Sequence, residues 1–259
     1  MTEKIPINTL LVEERRLGGV SKLYGETAFE HLKKMHVVVI GLGGVGSWAA
    51  EALARSAVGE ITLIDFDHIS ISNTNRQLHA LDGEYGKAKV EAMSQRLKKI
   101  NPELIIHEVD EFVKPENIEA LLPKSAVILD ATDDFLSKVS LAVWCHKNAI
   151  PLVISGGAGG KIDPTKIQID DLSKATHDPL LSKMRGILRK EYGFEKDPQN
   201  KMKLRVVYSS EPRLGVALGG LACSGYGSAV TVTASFGLAA AAEAMRLGVV
   251  MASELQKTI

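Results

Sequence analysis

Residues 37–46 read Val37-Val38-Val39-Ile40-Gly41-Leu42-Gly43-Gly44-Val45-Gly46. Four consecutive β-branched residues predict a strand that is buried on both faces, as strands of parallel sheets are. The glycines that follow remove side chains from the next turn, so backbone N–H groups can approach an anion closely. Residues 47–55 have high helical propensity, and the free N–H groups of their first turn would face the same anion. A purely structural turn is the alternative, but the order of strand, glycine turn and helix favours nucleotide binding at Gly41, Gly43, Gly44 and Gly46.

The composition is that of an ordinary globular protein. Of 259 residues, 45% are hydrophobic and 24% are charged, which allows a sizeable core in one large domain or two small ones. Lys and Arg total 31, as do Asp and Glu, so a nucleic-acid surface would have to arise from local clustering. Cys145 and Cys223 form no CxxC pair and indicate neither a disulfide framework nor a zinc site. The N-terminus lacks the layout of a signal peptide, and we expect a cytoplasmic protein.

A second predicted strand, residues 60–67, ends in the carboxylates of Asp65 and Asp67. Asp65 lies about 20 residues beyond Gly41, where doubly wound folds carry the acid that binds a ribose hydroxyl. An unrelated loop aspartate is the alternative. We therefore expect Asp65 and Asp67 beside the nucleotide.

The polar run Ser72-Asn73-Thr74-Asn75-Arg76-Gln77 follows and is too long for a simple turn. Although Asn residues often serve only in caps and turns, Arg76 beside amide side chains suits phosphate binding by charge-assisted hydrogen bonds. The run Gly86-Lys87-Ala88-Lys89 opens a helical stretch that extends to residue 100. We expect Lys87 to meet an anion and Lys89 to be solvated.

Another apolar strand, residues 126–130, leads into the acids Asp130, Asp133 and Asp134. Carboxylates at a strand's carboxyl end beside a triphosphate are suitable Mg²⁺ ligands. Asp134 is expected only to cap the following helix. The alternation of strands and helices up to about residue 155 predicts an α/β fold, a Rossmann-like, mostly parallel sheet with helices on both faces.

The C-terminal portion has a different pattern, and residues 162–172 predict an antiparallel strand. Residues 183–205 hold eight basic and three acidic side chains, a surplus of five, which favours either a solvated surface or a polyanion-docking surface. Residues 228–245 are rich in small residues but interrupted by polar ones, so we predict a helix in the core or at a dimer interface rather than a membrane span. We expect one domain over residues 1–259, with a nucleotide-binding part at 1–155 and a substrate-binding and dimerisation part at 156–259.

The N-terminal lead-in, residues 9–34, is polar and punctuated by glycines. It is interpreted as an arm that either lies on the surface or reaches into a partner subunit. Its last part, residues 26–34, predicts a helix.

Several of these segments together resemble the ThiF/MoeB/HesA group of ubiquitin-activating-like adenylyltransferases. The resemblance rests on the glycine turn and on Asp65-Phe66-Asp67, Asn73-Thr74-Asn75-Arg76-Gln77, Gly86-Lys87-Ala88-Lys89 and Asp130-Ala131-Thr132-Asp133. It implies ATP binding and activation of a carboxylate as an acyl adenylate, with release of pyrophosphate. Within the group, the chain is most similar to the branch that dehydrates threonylcarbamoyladenosine at position 37 of tRNA. That likeness rests on Arg16-Leu17-Gly18-Gly19, Gly156-Gly157-Ala158-Gly159-Gly160 and Ala222-Cys223-Ser224-Gly225.

The resemblance also implies roles for particular residues. The glycine turn with Asp65 and Asp67 would hold ATP, and Asp133 would hold Mg²⁺, with Asp130 beside the nucleotide as a secondary candidate for Mg²⁺. Asn75, Arg76 and Lys87 would bind the triphosphate, and the catalytic set would be Arg76, Lys87 and Asp133. Arg16 would enter the ATP site of a neighbouring subunit, which implies a homodimer.

Further partners follow from the same resemblance. Modified tRNA is the implied substrate, Cys223 is interpreted as accessory rather than catalytic, and docking of a sulfur-transfer system is left open. Activation of the C-terminal glycine of a ubiquitin-like sulfur carrier is the first alternative activity. A non-enzymatic scaffold or a nicotinamide-dependent reductase would share only the glycine turn.

Overall fold

Seven strands form one sheet in the order β3-β2-β1-β4-β5-β7-β6 in the computed structural model, which describes residues 9–213 and 226–257. The strands are β1 His36–Ile40, β2 Glu60–Ile64, β3 Ile105–Val109, β4 Val127–Asp130, β5 Leu152–Ser155, β6 Ile167–Asp171 and β7 Arg205–Ser209. All neighbouring pairs are parallel except β6 with β7, which is antiparallel. The predicted Rossmann-like α/β sheet with an antiparallel C-terminal portion is confirmed.

Helices cover both faces of this sheet. They are α1 Thr9–Tyr24, α2 Glu26–Lys34, α3 Gly46–Arg55, α4 Lys89–Ile100, α5 Ile118–Leu121, α6 Phe135–Lys147, α7 Pro179–Glu191 and α8 Val230–Lys257. One core layer includes apolar side chains of α3, α4 and α8, and the other includes those of α5, α6 and α7. Because successive strand residues point to opposite faces, Val37 and Val39 enter the first layer while Val38 and Ile40 enter the second. The unbroken apolar run of β1 is thereby explained.

The order in which strands are added to the sheet reverses at β1, although the strands themselves stay parallel. It passes from β1 to β2 and β3 on one side, and then returns to place β4 on the other side of β1. Such a switch point leaves a crevice outside the carboxyl ends of the two strands, where open α/β sheets bind ligands. The fold therefore places the glycine turn after β1 at this crevice.

Helix α8 packs against α3, as predicted for a small-residue helix in the core. At Gly237 the two helices approach so closely that an added Cβ would lie 2.9 Å from the Cβ of Trp48 and would overlap the carbonyl oxygen of Val45. Phe236 and Ala240 are fully buried on the same helix. In the described part of the chain, no helix has the length and apolarity needed to cross a membrane.

The N-terminal lead-in is helical over most of its length. Helix α1 continues through Gly18 and Gly19, and its Leu17 packs against Phe29 of α2 and Ala57. The predicted helix at 26–34 is confirmed as α2. This local packing offsets the low helix propensity of Gly18 and Gly19, because a buried apolar contact stabilises a helix that glycine would otherwise weaken.

Candidate active site

A cleft of about 400 Å³ opens at the switch point. Its walls are the loops that follow β1, β2, β3, β4 and β5, together with the first turns of α6 and α7 and residues near the start of α8. Gly41, Gly43 and Gly44 form its floor on the β1 side, and Gly156, Gly157 and Gly159 line it after β5. Both glycine-rich segments therefore expose backbone at one site.

The glycine turn has the geometry that the sequence pattern predicts. Gly41 has a φ of +86°, a conformation that L side chains rarely adopt. At Gly46, the first residue of α3, an added Cβ would overlap the carbonyl oxygen of Gly41. The turn is thus tight, and the first N–H groups of α3 follow directly on the cleft-lining glycines.

Asp65 is held beneath the turn after β1. Its Oδ2 accepts a hydrogen bond from the Leu42 amide at 2.5 Å, and its Oδ1 accepts one from the Asp67 amide at 2.8 Å. Burial raises the pKa of Asp65, although the nearby Lys89 cation and these amides oppose that rise. Asp65 and Asp67 both line the cleft, as the sequence predicted.

Arg76 lines the cleft with its backbone and side chain anchored. Its Nη1 donates to the Ser72 carbonyl and to Asn75 Oδ1, each at 2.9 Å, and its own carbonyl accepts from Trp48 Nε1 at 3.0 Å. Asn75 lies outside the lining residues, and its Nδ2 donates to the Ser228 carbonyl at 2.8 Å. The structure therefore places Asn75 as a support for Arg76 rather than in the cleft itself.

In the Gly86-Lys87-Ala88-Lys89 run, Lys89 rather than Lys87 faces the cleft. Lys87 lies outside the cleft lining and pairs with Glu84 at 3.0 Å on the surface. Lys89 lines the cleft with a side chain only 5% exposed, 2.7 Å from Asp67 and 3.6 Å from Asp65. The expectation of a solvated Lys89 is wrong, because α4 begins at this residue and turns its side chain toward the acids that follow β2.

The acids after β4 have three different environments. Asp133 is exposed in the cleft, and its carboxylate has no hydrogen-bond or ion-pair partner among the described residues. Asp134 caps α6 by accepting from the Ser137 amide at 2.7 Å, as predicted. Asp130 is completely buried, lies outside the lining and pairs with Lys138 at 2.7 Å, so its placement at the nucleotide is corrected.

Comparison with known proteins agrees with this geometry. The ThiF family matches residues 15–257. The chain belongs to the ThiF family. A tRNA threonylcarbamoyladenosine dehydratase of Haemophilus influenzae is 45% identical over 233 residues, which span 86% of this chain and 89% of the relative. One from Escherichia coli is 42% identical over 248 residues, 90% of this chain and 92% of the relative.

A solved structure of a ThiF-type enzyme extends the comparison to three dimensions. The E. coli tRNA N6-threonylcarbamoyladenosine dehydratase TcdA in complex with ATP matches with a TM-score of 0.86 and 41% identity. The match covers 96% of this chain and 99% of that one. The sequence-based resemblance to this group is confirmed over nearly the whole chain.

Arg213 is a residue of this ThiF site that the sequence reasoning missed. It lines the cleft, and its Nε and Nη1 are buried without a hydrogen-bond partner among the described residues. Its guanidinium lies 4.8 Å from the ring of Tyr226, and it packs close to Gly157. No local motif surrounds Arg213, so only the tertiary fold reveals a cation at this wall of the cleft.

Arg16 is not among the residues that line the cleft. Arg16 Nη1 donates to the carbonyl of Ile100 at 2.9 Å within its own chain. A role of Arg16 in a neighbouring ThiF subunit therefore stays a prediction. Cys223, together with residues 214–225, lies outside the described residues.

Proposed function

We propose that this chain catalyses the ATP-dependent dehydration of threonylcarbamoyladenosine at position 37 of tRNA. The observation that carries the proposal is the convergence of the glycine turn, Arg76, Lys89 and Asp133 on one cleft at the switch point. Curated relatives and the ATP-bound solved structure with this activity match nearly the whole chain. We place the reaction in the cytoplasm, where a reducing environment suits the buried free thiol of Cys145.

In the first step, the threonyl carboxylate attacks the α-phosphorus of ATP. A new bond forms between the carboxylate oxygen and phosphorus, the bond to the β-phosphate bridging oxygen breaks, and pyrophosphate leaves. The amides of the glycine turn bind phosphate, and we assign Asp65, which the Leu42 amide holds in place, to a ribose hydroxyl. Arg76 and Lys89 stabilise the negative charge that develops on the departing pyrophosphate.

Asp133 is the residue that would hold Mg²⁺ in this reaction. Its carboxylate is exposed in the cleft without a partner among the described residues, so it has oxygen ligands to offer. Mg²⁺ is bound through one or two carboxylates together with substrate phosphates, and it supplies charge neutralisation on them. Asp130 does not fit this role, because its buried carboxylate is already bonded to Lys138 and Thr132.

In the second step, the carbamoyl group of the same modification attacks the acyl carbon of the adenylate. The ring closes, the nucleophile loses its proton and AMP leaves. Because the nucleophile is already tethered to the acyl group, the step gains from proximity and needs no enzyme thiol. We assign Arg213 to the adenylate phosphate that leaves as AMP in this step, since its guanidinium faces the cleft beside Gly157 with two unsatisfied donors.

The basic stretch that begins in α7 is proposed as the tRNA contact. Five of its lysines are exposed: Lys183, Lys190, Lys196, Lys201 and Lys203. Its arginines, in contrast, bond within the chain, for example Arg205 to Glu243 at 2.6 Å and Arg185 to the Ala175 carbonyl at 2.8 Å. Leu180 in the first turn of α7 lines the cleft, so the N-terminal end of this surface lies next to the site. Exposed lysines are suited to backbone phosphates rather than to base readout.

The decisive experiment incubates the purified chain with ATP, Mg²⁺ and tRNA that carries the modification. We expect the modified nucleoside to be converted to its dehydrated ring form, with AMP and pyrophosphate as coproducts. ATP–pyrophosphate exchange should depend on the modified tRNA. Unchanged nucleoside together with adenylation of a carrier protein's C-terminus would overturn the proposal in favour of a sulfur-carrier activator.

Matched lysine variants test the arrangement of the site. Lys89→Met should abolish turnover, whereas Lys87→Met should leave it nearly unchanged, because only Lys89 lines the cleft. Arg76→Ala should also abolish turnover with the fold intact, as checked by urea unfolding. Full activity of Lys89→Met would remove Lys89 from the mechanism.

We also propose a homodimer in which Arg16 completes the partner subunit's site. The test mixes Arg16→Ala subunits with Arg76→Ala subunits, each of which is inactive alone. If Arg16 acts on the partner, a mixed dimer contains one complete site, and an equal mixture should recover about a quarter of the wild-type activity. If it acts within its own chain, the mixture should remain inactive.

A further inference from the structure

We propose that His36, Glu60 and His107 form a Zn²⁺ site at the end of the sheet opposite the nucleotide cleft. One ligand atom from each residue lies within 4.8 Å of the other two. His107 Nε2 is 2.8 Å from Glu60 Oε1, and His36 Nδ1 is 3.6 Å from the same oxygen. Two imidazoles and one carboxylate are a ligand set that Zn²⁺ binds, with water in the fourth position.

The register of three parallel strands brings these side chains together. His36 on β1 pairs with Glu60 on β2, and Thr62 on β2 pairs with His107 on β3. Glu60 and Thr62 are two residues apart and therefore project from the same face of the sheet. All four side chains consequently lie on one face at neighbouring positions. The site is built on strands rather than on a loop, which keeps its geometry preorganised.

Thr62 supplies the outer contact that a ligating histidine needs. Its Oγ1 is 2.8 Å from His36 Nε2. A proton on Nε2 donated to this hydroxyl leaves Nδ1 with a lone pair directed at the ligand cluster, and such contacts orient metal-bound imidazoles. Thr62 is 5% exposed, so this contact is shielded from competing water.

The site is open to an ion from solution. The side chains of His36, Glu60 and His107 are 14%, 33% and 50% exposed, respectively. It is also distant from the proposed chemistry, because His36 begins β1 whereas the glycine turn follows its other end. Bound Zn²⁺ would therefore tie β1, β2 and β3 together without entering the reaction.

Calorimetric titration of the untagged full-length chain with Zn²⁺, after treatment with a chelator, tests the proposal. We expect one ion per chain. Glu60→Gln and His107→Ala should each weaken binding by more than the roughly 10–100-fold that loss of an outer contact costs, and Thr62→Val should weaken it within that range. Co²⁺ should give visible absorption bands in the wild type that His107→Ala loses. Saturating Zn²⁺ should raise the Tm by about 5 °C or more.

Two matched variants control for non-specific binding. Glu108→Gln removes the next acid on β3, and His146→Ala removes an exposed histidine whose ring contacts Phe194 outside the cluster. Both should bind Zn²⁺ like the wild type. The proposal is overturned if the wild type shows no saturable binding, or if folded Glu60→Gln and His107→Ala bind as tightly as these controls.

Discussion

Replacing Lys138 with Met removes the cation from an ion pair that solvent does not reach. Lys138 Nζ lies 2.7 Å from Asp130 Oδ2 and 3.1 Å from the Ser155 carbonyl, and both charged side chains are 0% exposed. The variant leaves the Asp130 carboxylate buried without its counter-ion. Removal of one partner from such a pair costs about 3–5 kcal/mol. For a chain of this size, that corresponds to a fall in Tm of about 6–20 °C.

A double-mutant cycle isolates the interaction itself. Asp130→Asn keeps the oxygen that accepts from Thr132 but removes the charge. The double variant with Lys138→Met buries neither charge, so it should lose less stability than the sum of the single losses, by about 1–3 kcal/mol. Urea unfolding of the four proteins at pH 7 measures this coupling energy.

The same cycle separates a structural role of Asp130 from metal binding. If the structural assignment is right, the folded double variant retains the Mg²⁺ dependence of the wild type. Additive stability losses, or a Mg²⁺ requirement that disappears with Asp130→Asn alone in folded protein, would refute the reasoning.

Three other variants probe the cleft and its surroundings. Burial, with the charges of Lys89 and Arg96, lowers the pKa of His79 to about 4, so wild-type stability should fall as pH drops from 6.5 toward 4. Between pH 7 and pH 5, the free energy of unfolding measured in urea should fall by about 2 kcal/mol less in His79→Leu than in the wild type. The same fall in both proteins would contradict this. Gly46→Ala should lower the free energy of unfolding by about 1–3 kcal/mol in urea, because the added Cβ overlaps the backbone at Gly41. Gly43→Ala should have no such effect, because open space surrounds that position. Equal losses in the two variants would refute the packing argument. Arg213→Met should lower kcat about 100-fold in the tRNA assay with ATP affinity retained, and unchanged kcat would remove Arg213 from the second step.

Much of the fold could be predicted from the sequence because its signals are local. The continuous apolar run of β1, the glycine turn and the acids at the strand ends each follow from neighbouring residues. Parallel strands bring their carboxyl ends to one edge, so Asp65 and Asp133 could be assigned to one site before the structure was known.

The choice between Lys87 and Lys89 could not be made in this way. The two residues have the same charge and lie in the same motif, and the direction of each side chain depends on where α4 begins. Asp130 presents a similar difficulty, because its partner Lys138 lies on the following helix and only packing shows that the pair is buried.

Residues that meet only through tertiary structure gave no sequence signal. Arg213 reaches the cleft from a segment distant in sequence. His36, Glu60 and His107 lie on three strands, and their proximity depends on strand register that the sequence pattern did not specify.

The close approach of α8 to α3 at Gly237 has a consequence for biosynthesis. Helix α8 leaves the ribosome after all seven strands of the sheet, yet it packs against the helix whose first turn faces the phosphate cleft, and Thr233 lines the cleft. A nascent chain that ends before residue 230 lacks the surface that covers Trp48 and leaves apolar residues of α3 in water. Competence to bind ATP should therefore arise only after α8 has been synthesised, so that shorter products do not sequester the nucleotide.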